Sequence, residues 1–569
     1  MTAFISIQNL SHRYKVTEKN ALEGINIDLA QSQIIGVVGP DGAGKTTFLR
    51  ILTSLLKPTC GSCQIDQLDI FKDPLPENLI RYMPQKFGLY EDLTVKENIQ
   101  LYADLNGLSL AEKAIAEKSL FDFTHLAPFQ DRLAKDLSGG MKQKLGLGCV
   151  LLKKPKVLIL DEPTVGVDPI SRRELWKMIE NLRQENLTII ISTSYLEEVE
   201  NFDSVIILNE GKSLFYGSPK EIKKSIEGRA FLIKDLLTPK REALSDLILN
   251  EAVLDATIQG DSIRVLSKNN QQASCLDLGK KFGTILTAPA QFEDVFLDFI
   301  PDTSQKKSPI YSLYPTLEKL DKPLIEAKSL TKHFGSFKAV DQISFAVKQG
   351  EVFGLLGPNG AGKSTTFKMI CGLLKPSSGE ATIKELSLLN APYQARSKIG
   401  YMAQKFSLYS NMTVLQNLRF FYGIYPLFSQ KNHIVDEMIE TFFLKPYLSS
   451  LTSDLPLGFK QRLALACAIM HRPEVLFLDE PTSGVDPITR REFWSHINAL
   501  VSKNVAIVVT THFMDEAEYC DRIGIVNDGK LVTIGTPDEL KNLSKTTTNP
   551  HPSLEDAFIY LSTKRKENV

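Results

Sequence analysis

Apolar residues along this 569-residue chain come in short solid runs. IIGVVG (Ile34 to Gly39), VFGLLG (Val352 to Gly357), VLIL before Asp161 and VLFL before Asp479 each read as a strand buried on both faces. Between them lie polar connections and a helical middle, and farther on come alternating runs such as SIRVL and a closing FEDVFLDFI. No apolar run reaches the roughly 18 residues that a spanning helix needs. The start, MTAFISIQNLSHRY, lacks the charged-then-apolar layout of a secretion signal. The expectation is a chain that is neither secreted nor membrane-spanning.

The pattern occurs twice. GPDGAGKT (Gly39 to Thr46) returns as GPNGAGKS (Gly357 to Ser364) at an offset of 318, which also relates LDEPTVGVDP to LDEPTSGVDP and Gly217-Ser218-Pro219 to Gly535-Thr536-Pro537. Each copy runs from a β-rich start through a glycine-rich loop, a helix and a helical middle to a strand ending in Asp-Glu. That order predicts an α/β fold with two P-loop NTPase domains in tandem, each carrying a helical subdomain. The first copy is expected over 1–219 and the second over 323–540. Residues 220–300 read as a small α+β extension of the first copy, 301–322 as a proline-punctuated linker, and 541–569 as a tail in which PSLEDAF echoes the closing element of the extension. The basic Lys564 to Lys566 reads as a solvated end.

Acidic and basic residues nearly cancel, 67 against 66, so no overall field favours nucleic acid, and none is expected as a partner. Seven cysteines in so long a chain form no disulfide framework and suit a reducing compartment. Cys60 and Cys63 have metal-like spacing but no second pair. They are read as structural, in a hairpin turn built around Gly61, with Gly379 as its counterpart.

The glycine-rich loops carry the chemistry. In GxxxxGK[ST] between strand and helix, backbone amides approach phosphates with no side chain in the way, and the helix N-terminus adds its positive dipole end. Gly39, Asp41, Gly42, Gly44, Lys45, Thr46 and Thr47 are candidate nucleotide contacts, as are Gly357, Asn359, Gly360, Gly362, Lys363, Ser364 and Thr365. The lysines would reach the β and γ phosphates, and Thr46 and Ser364 would ligate Mg2+. At the strand ends, Asp161 and Asp479 would hold the metal while Glu162 and Glu480 polarise the attacking water.

With these residues the chain resembles the ATP-binding-cassette (ABC) ATPases over nearly its whole length. LSGGMKQK is similar to the family signature, with Ser138, Gly139 and Gly140 as nucleotide contacts, and EPTVGVD and EPTSGVD are similar to its D-loops. Gln85 and Gln404 match the Q-loop glutamine, a metal-side ligand. Tyr14 and Phe334 match the aromatic that stacks on adenine, and His512 the switch histidine that contacts the γ-phosphate. The resemblance implies ATP and Mg2+ as cofactors, and two cassettes pairing head to tail so that each ATP lies between one P-loop and the other signature.

Two departures then fall in one site. The second signature reads LPLGFKQR, with Pro456 for the serine and Leu457 for the first glycine, and the first switch position is Ser194. The first loop would therefore face an impaired signature, whereas the second loop, Gln404, Asp479, Glu480 and His512 would face an intact LSGG. The expectation is one efficient and one slow site, although the impaired site keeps Glu162.

The resemblance also implies integral-membrane permease subunits as partners. They would be received near the Q-loops by Phe87, Leu89 and Tyr90 and by Phe406, Leu408 and Tyr409. The chain would then be cytoplasmic and peripheral on the inner face of the membrane, and would not itself bind the transported substrate. QKFGLYEDLTVKEN and LPLGFKQRLALACAIMH are similar to bacterial multidrug-type tandem exporters. The alternatives are a cassette protein acting on ribosomes or DNA, and a nucleotide-sensing regulator without turnover.

Overall fold

The structure, a computed structural model, describes residues 3–14, 19–183, 186–300, 308–404, 407–424, 433–547 and 549–563. Phe406, residues 301–307 of the expected linker, and Lys564 to Lys566 lie outside the described residues. Two compact units are formed, one by residues 1–227 with 290–302 and the other by 228–289 with 303–569.

In the first unit a six-stranded sheet has the spatial order Lys212–Gly217, Ser204–Asn209, Ile34–Val38, Thr188–Ser192, Val157–Asp161, Ile80–Met83. All pairs are parallel except Lys212–Gly217 with Ser204–Asn209. Ile34–Val38, Val157–Asp161 and Thr188–Ser192 are buried at every position, which is why their sequences are solidly apolar rather than alternating. An antiparallel sheet, ordered Leu22–Leu29, Ile5–His12, Cys60–Ile65, Leu68–Asp69, shares its core with the helix Lys45–Leu52. Phe48, Leu49, Ile51 and Leu52 of that helix are fully buried, each contributing about 1.5–3 kcal/mol. The phosphate loop is thus anchored by the same helix whose N-terminus it opens.

The helical middle has its own core of Val95, Ile99, Leu120, Leu145 and Cys149. Its helices Val95–Leu105 and Leu110–Thr124 are each started by a capping box, Thr94 with Glu97 and Ser109 with Glu112.

Gly61 is not in a hairpin turn. It lies within the strand Cys60–Ile65, opposite an irregularity between Gln8 and Ser11, at φ 89°, where a Cβ would stand 2.4 Å from the Asn9 carbonyl oxygen. Cys60 is exposed and Cys63 is buried, its thiol pushed up to about 12 by burial and then by Asp69. No metal-holding cluster of three or more His, Cys, Asp or Glu occurs among the described residues.

The second unit repeats the architecture, its large sheet running Ile399–Met402, Val475–Asp479, Ala506–Thr510, Val352–Leu356, Arg522–Asn527, Lys530–Gly535. It also contains a β-α-β-β-α-β domain with strand order Val253–Gln259, Ser262–Ser267, Ala230–Lys234, Thr284–Thr287, a split βαβ arrangement. In chain order this domain lies between two helices of the first unit, Pro219–Lys223 and Phe292–Phe299. The described part of the expected linker is packed rather than free: Ile310 and Tyr314 are buried, and the Tyr314 hydroxyl donates to the Pro473 carbonyl at 2.6 Å. The expected tail is ordered into a helix, Leu554–Thr563, with Leu554, Ala557 and Phe558 buried. No helix among the described residues is long and apolar enough to cross a membrane.

His471, buried just past the C-terminal end of the helix Leu457–Ile469, has its Nε2 2.8 Å from the Ile399 carbonyl, and burial depresses its pKa from 6.5 to about 4 despite that bond. A base whose folded pKa is depressed contributes stability above its unfolded pKa that is lost as pH falls through the folded value. His471→Gln, which keeps a donor but does not titrate, should therefore flatten the fall in melting temperature between pH 6.5 and about 4.

Candidate functional site

Each copy builds its site where its central strands end. In the first, Lys45 Nζ donates back to the carbonyls of Gly39 and Pro40 at 2.8 and 3.2 Å, folding the loop around its ammonium. Gly42 and Gly44 hold φ of 79° and 103°. Thr46 Oγ1 lies 3.4 Å from Asp161 Oδ1, so a hydroxyl and a carboxylate converge at the start of the helix. The parallel register sets Asp161 beside Ser192, whose hydroxyl donates to Asp161 Oδ1 at 2.5 Å and accepts the Glu162 N–H at 3.0 Å. Gln85 Nε2 donates to Glu162 Oε2 at 2.5 Å, and the Tyr82 hydroxyl donates to Asp161 Oδ2 at 3.1 Å.

The second copy gives the same picture from its own residues. Lys363 Nζ donates to Gly357 O and Pro358 O at 2.5 and 2.9 Å, Gln404 Nε2 to Glu480 Oε2 at 2.5 Å, and Thr510 Oγ1 to Asp479 Oδ1. Ser364 is exposed, beside the helix start. Asn359 and Thr365 belong to this loop and the first turn of its helix, as Asp41 and Thr47 do in the first copy. Ser192 and Thr510 were missed in the sequence reading; both follow from the parallel register, which puts the residue at the end of the next strand against the Asp-Glu pair.

Both candidate bases sit in the left-handed region, Glu162 at φ 50° and Glu480 at φ 46°. Such a conformation in a non-glycine residue costs on the order of 1–3 kcal/mol and is kept where geometry is over-determined, as the Gln and hydroxyl contacts do here. Their electrostatics differ. Burial pushes Glu162 up to about 7, with Lys45 opposing and Asp161 and Asp41 adding. At Glu480 burial also works upward, but His512 and then Lys363 and Gln404 overturn it and hold the carboxyl below its ordinary value. Two positions contribute to the difference: His512 Nδ1 lies 3.3 Å from Glu480 Oε1, whereas Ser194 Oγ is buried with no partner among the described residues, and Asp41, which adds to the rise at Glu162, has the uncharged Asn359 as its counterpart. His512 Nε2, on the other side of the imidazole, is likewise buried and unpartnered among the described residues. Burial raises Asp479 as well, against the Thr510 bond.

The adenine-side aromatics differ in setting. The Tyr14 hydroxyl is 3.1 Å from Thr47 Oγ1, and its ring meets His12 edge-on. Phe334 is 51% exposed, with Lys332 Nζ 5.4 Å from the centre of its ring.

Ser138 caps the helix Gly139–Val150 by accepting the Met141 N–H at 3.3 Å. Gly139 and Gly140 start that helix close to the loop after Glu162 and to the helix Pro169–Arg183: a Cβ on Gly139 would stand 2.8 Å from Gly166 O, and one on Gly140 2.4 Å from Ser171 Cβ. Among the described residues no hydrogen bond joins Ser138, Gly139 or Gly140 to the phosphate loop of the same copy. In the second copy the helix Leu457–Ile469 starts after Pro456 with no side-chain cap.

A family model described as ABC transporter matches residues 22–165 and 340–483. The chain is 51% identical over 566 residues to the "Probable multidrug ABC transporter ATP-binding protein YbhF" of Escherichia coli K12, covering 98% of each. It is 26% identical over 549 residues to a "Putative ABC transporter ATP-binding protein" of Caldanaerobacter subterraneus, covering 93% of this chain and 91% of the relative. A solved "ATP binding subunit of ABC transporter" matches at 28% identity and TM-score 0.39, over 42% of this chain and 99% of its own. The chain therefore belongs to the ABC transporter family, as an ATP-binding and ATP-hydrolysing protein with two cassettes in tandem.

Proposed function

We infer that the chain is the engine of a membrane exporter of the multidrug type, working on separate integral-membrane permease subunits. Near-complete alignment at 51% identity with a relative named as a probable multidrug transporter ATP-binding protein is the observation that carries this reading. The Q-loop neighbourhoods supply a place for permeases: Tyr90 and Tyr409 are 52% and 46% exposed, beside the partly buried Phe87, Leu89 and Leu408. Exposed aromatics of this kind suit a partner's apolar segment. The chain would lie on the cytoplasmic face through those subunits.

The two cassettes would pair head to tail. ATP on the second loop would meet Ser138, Gly139 and Gly140, whose capped helix N-terminus is an anion site. ATP on the first loop would meet Pro456 and Leu457, which lack that hydroxyl and glycine. Thr46 with Asp161, and Ser364 with Asp479, offer hard oxygen donors of the kind Mg2+ takes alongside nucleotide phosphates, with Gln85 and Gln404 near at hand. The metal when bound would neutralise phosphate charge. Glu480 would accept the proton of the attacking water, with Gln404 fixing one carboxylate oxygen and His512 the other, and His512 would be left with Nε2 for the γ-phosphate. Closure driven by ATP would reorient the permeases, and hydrolysis at the Glu480 site would reopen the pair.

The test is affinity capture of the tagged chain from mildly detergent-solubilised cells. Polytopic membrane proteins should come down in stoichiometric amounts. Ribosomal or DNA-bound material in their place would overturn the exporter reading.

A further inference from the structure

Residues 228–289 leave the chain between two helices of the first unit yet fold with the second. A charge cluster at Asp521 ties them there. Arg241, on the small domain's helix Lys240–Ile248, donates from Nη1 and Nη2 to Asp521 Oδ1 and Oδ2 at 3.0 and 2.8 Å, and Lys240 Nζ lies 3.0 Å from Oδ1. A bidentate guanidinium–carboxylate fork is the strong, geometrically fixed form of such a pair. Arg241 Nε also donates to Asn498 Oδ1 at 3.2 Å.

Asp521 in turn belongs to the framework of the second nucleotide site. Its Oδ2 accepts the Val352 N–H at 2.9 Å and its N–H donates to Val352 O at 2.8 Å, at the start of the strand that feeds the phosphate loop. It also closes the segment that begins at His512, passes through the helix Met514–Glu518 and ends at the strand Arg522–Asn527. The small domain touches that segment a second time. Gly260 N–H donates to Glu518 O at 3.1 Å, taking a carbonyl at the helix end, and beyond that segment Asp261 N–H donates to Asp538 Oδ2, on the helix Pro537–Leu543, at 2.9 Å.

The first copy meets the same need internally. Its Asp203 accepts the Ile34 N–H at 2.9 Å, and Arg183 Nη2, on the helix Pro169–Arg183, donates to that Asp203 at 2.7 Å. At the offset of 318 the counterpart of Arg183 is Val501, which is buried and uncharged. A buried carboxylate deprived of its cation is strongly unfavourable. Burial works to raise Asp521, and Arg241 with Lys240 brings it below its ordinary value.

We propose that the inserted domain is a working part of the second nucleotide site: Arg241 is a positioning residue that replaces the counter-ion missing at Val501 and, through Asp521, holds the phosphate-loop strand and the His512 segment in register. The proposal rests on the second site being the one that hydrolyses ATP.

The test compares ATP hydrolysis by the purified full chain in two backgrounds, Glu162→Gln, in which only the second site keeps its base, and Glu480→Gln, in which only the first does. Arg241→Ala should lower kcat about tenfold in the Glu162→Gln background with KM within about twofold, a pattern expected of misplaced groups rather than lost ground-state binding. Arg241→Ala with Val501→Arg should recover most of that loss by restoring the arrangement of the first copy. Should Arg241→Ala fail to fold, Arg241→Ala with Asp521→Asn removes cation and carboxylate together and should show the same drop in kcat. An unchanged kcat, a loss without recovery by Val501→Arg, or an equal fractional loss in the Glu480→Gln background would overturn the proposal. Equal activity of the two backgrounds before Arg241 is touched would instead overturn the assignment of the second site as the hydrolytic one.

Discussion

Glu480→Gln should reduce ATP hydrolysis by about a hundredfold or more, the usual range for losing a positioned general base, whereas Glu162→Gln should cost less than about threefold. The two carboxylates have the same place in the fold, the same left-handed backbone and the same glutamine at 2.5 Å. They differ in the switch residue and in the loop residue, Asp41 against Asn359. His512 holds Glu480 below its ordinary value, ready to take a proton, while Glu162, whose copy has Ser194 at the switch position, is pushed up to about 7 by burial. A glutamine at 480 leaves shape and ATP binding in place, so the variant should still bind nucleotide. Steady-state ATPase assays on both variants check this, and equal losses would contradict it.

Gly362→Ala should abolish productive ATP binding at the second loop and lower hydrolysis to the level of Glu480→Gln. Gly362 holds φ of 97°, and a Cβ there would stand 2.6 Å from the backbone oxygen of Ala339, which no side-chain rearrangement relieves. Gly362 is the N-cap of the helix Lys363–Ile370, so the overlap shifts the amides and Lys363 together. Gly360→Ala in the same loop is the contrast. It holds φ of 81° with nothing within 4 Å of its Cβ, leaving left-handed strain of about 1–2 kcal/mol and a loss nearer tenfold. Nucleotide-binding isotherms on the two variants separate steric overlap from strain.

Much of the candidate site was legible because its chemistry is local. Phosphate loops, signatures and Asp-Glu strand ends are each written within ten residues, and the repeat gave the phosphate loops and the Asp-Glu strand ends twice. What escaped depends on pairings far apart in the chain. Ser192 and Thr510 contribute because of strand register, and nothing in STS or TTH announces a hydroxyl that bridges both acidic residues. Gly61 was read as a hairpin turn because KPTCGSCQI and KPSSGEATI keep a glycine, Gly61 and Gly379, at the same place, but its φ of 89° serves a close strand approach instead. The stretch 228–289 follows the first copy in the chain, so the sequence offers no reason to join it to the second. Only the substitution of Val501 for the counterpart of Arg183 hints that Asp521 needs a cation from elsewhere, and that hint gains meaning once Arg241 is seen beside it.

The asymmetry of the two sites is tested most directly by counting the nucleotides retained when the full chain is trapped with vanadate during turnover of ATP. One ADP, held at the second loop, and one unhydrolysed ATP per chain are expected. Two ADP per chain would contradict the asymmetry.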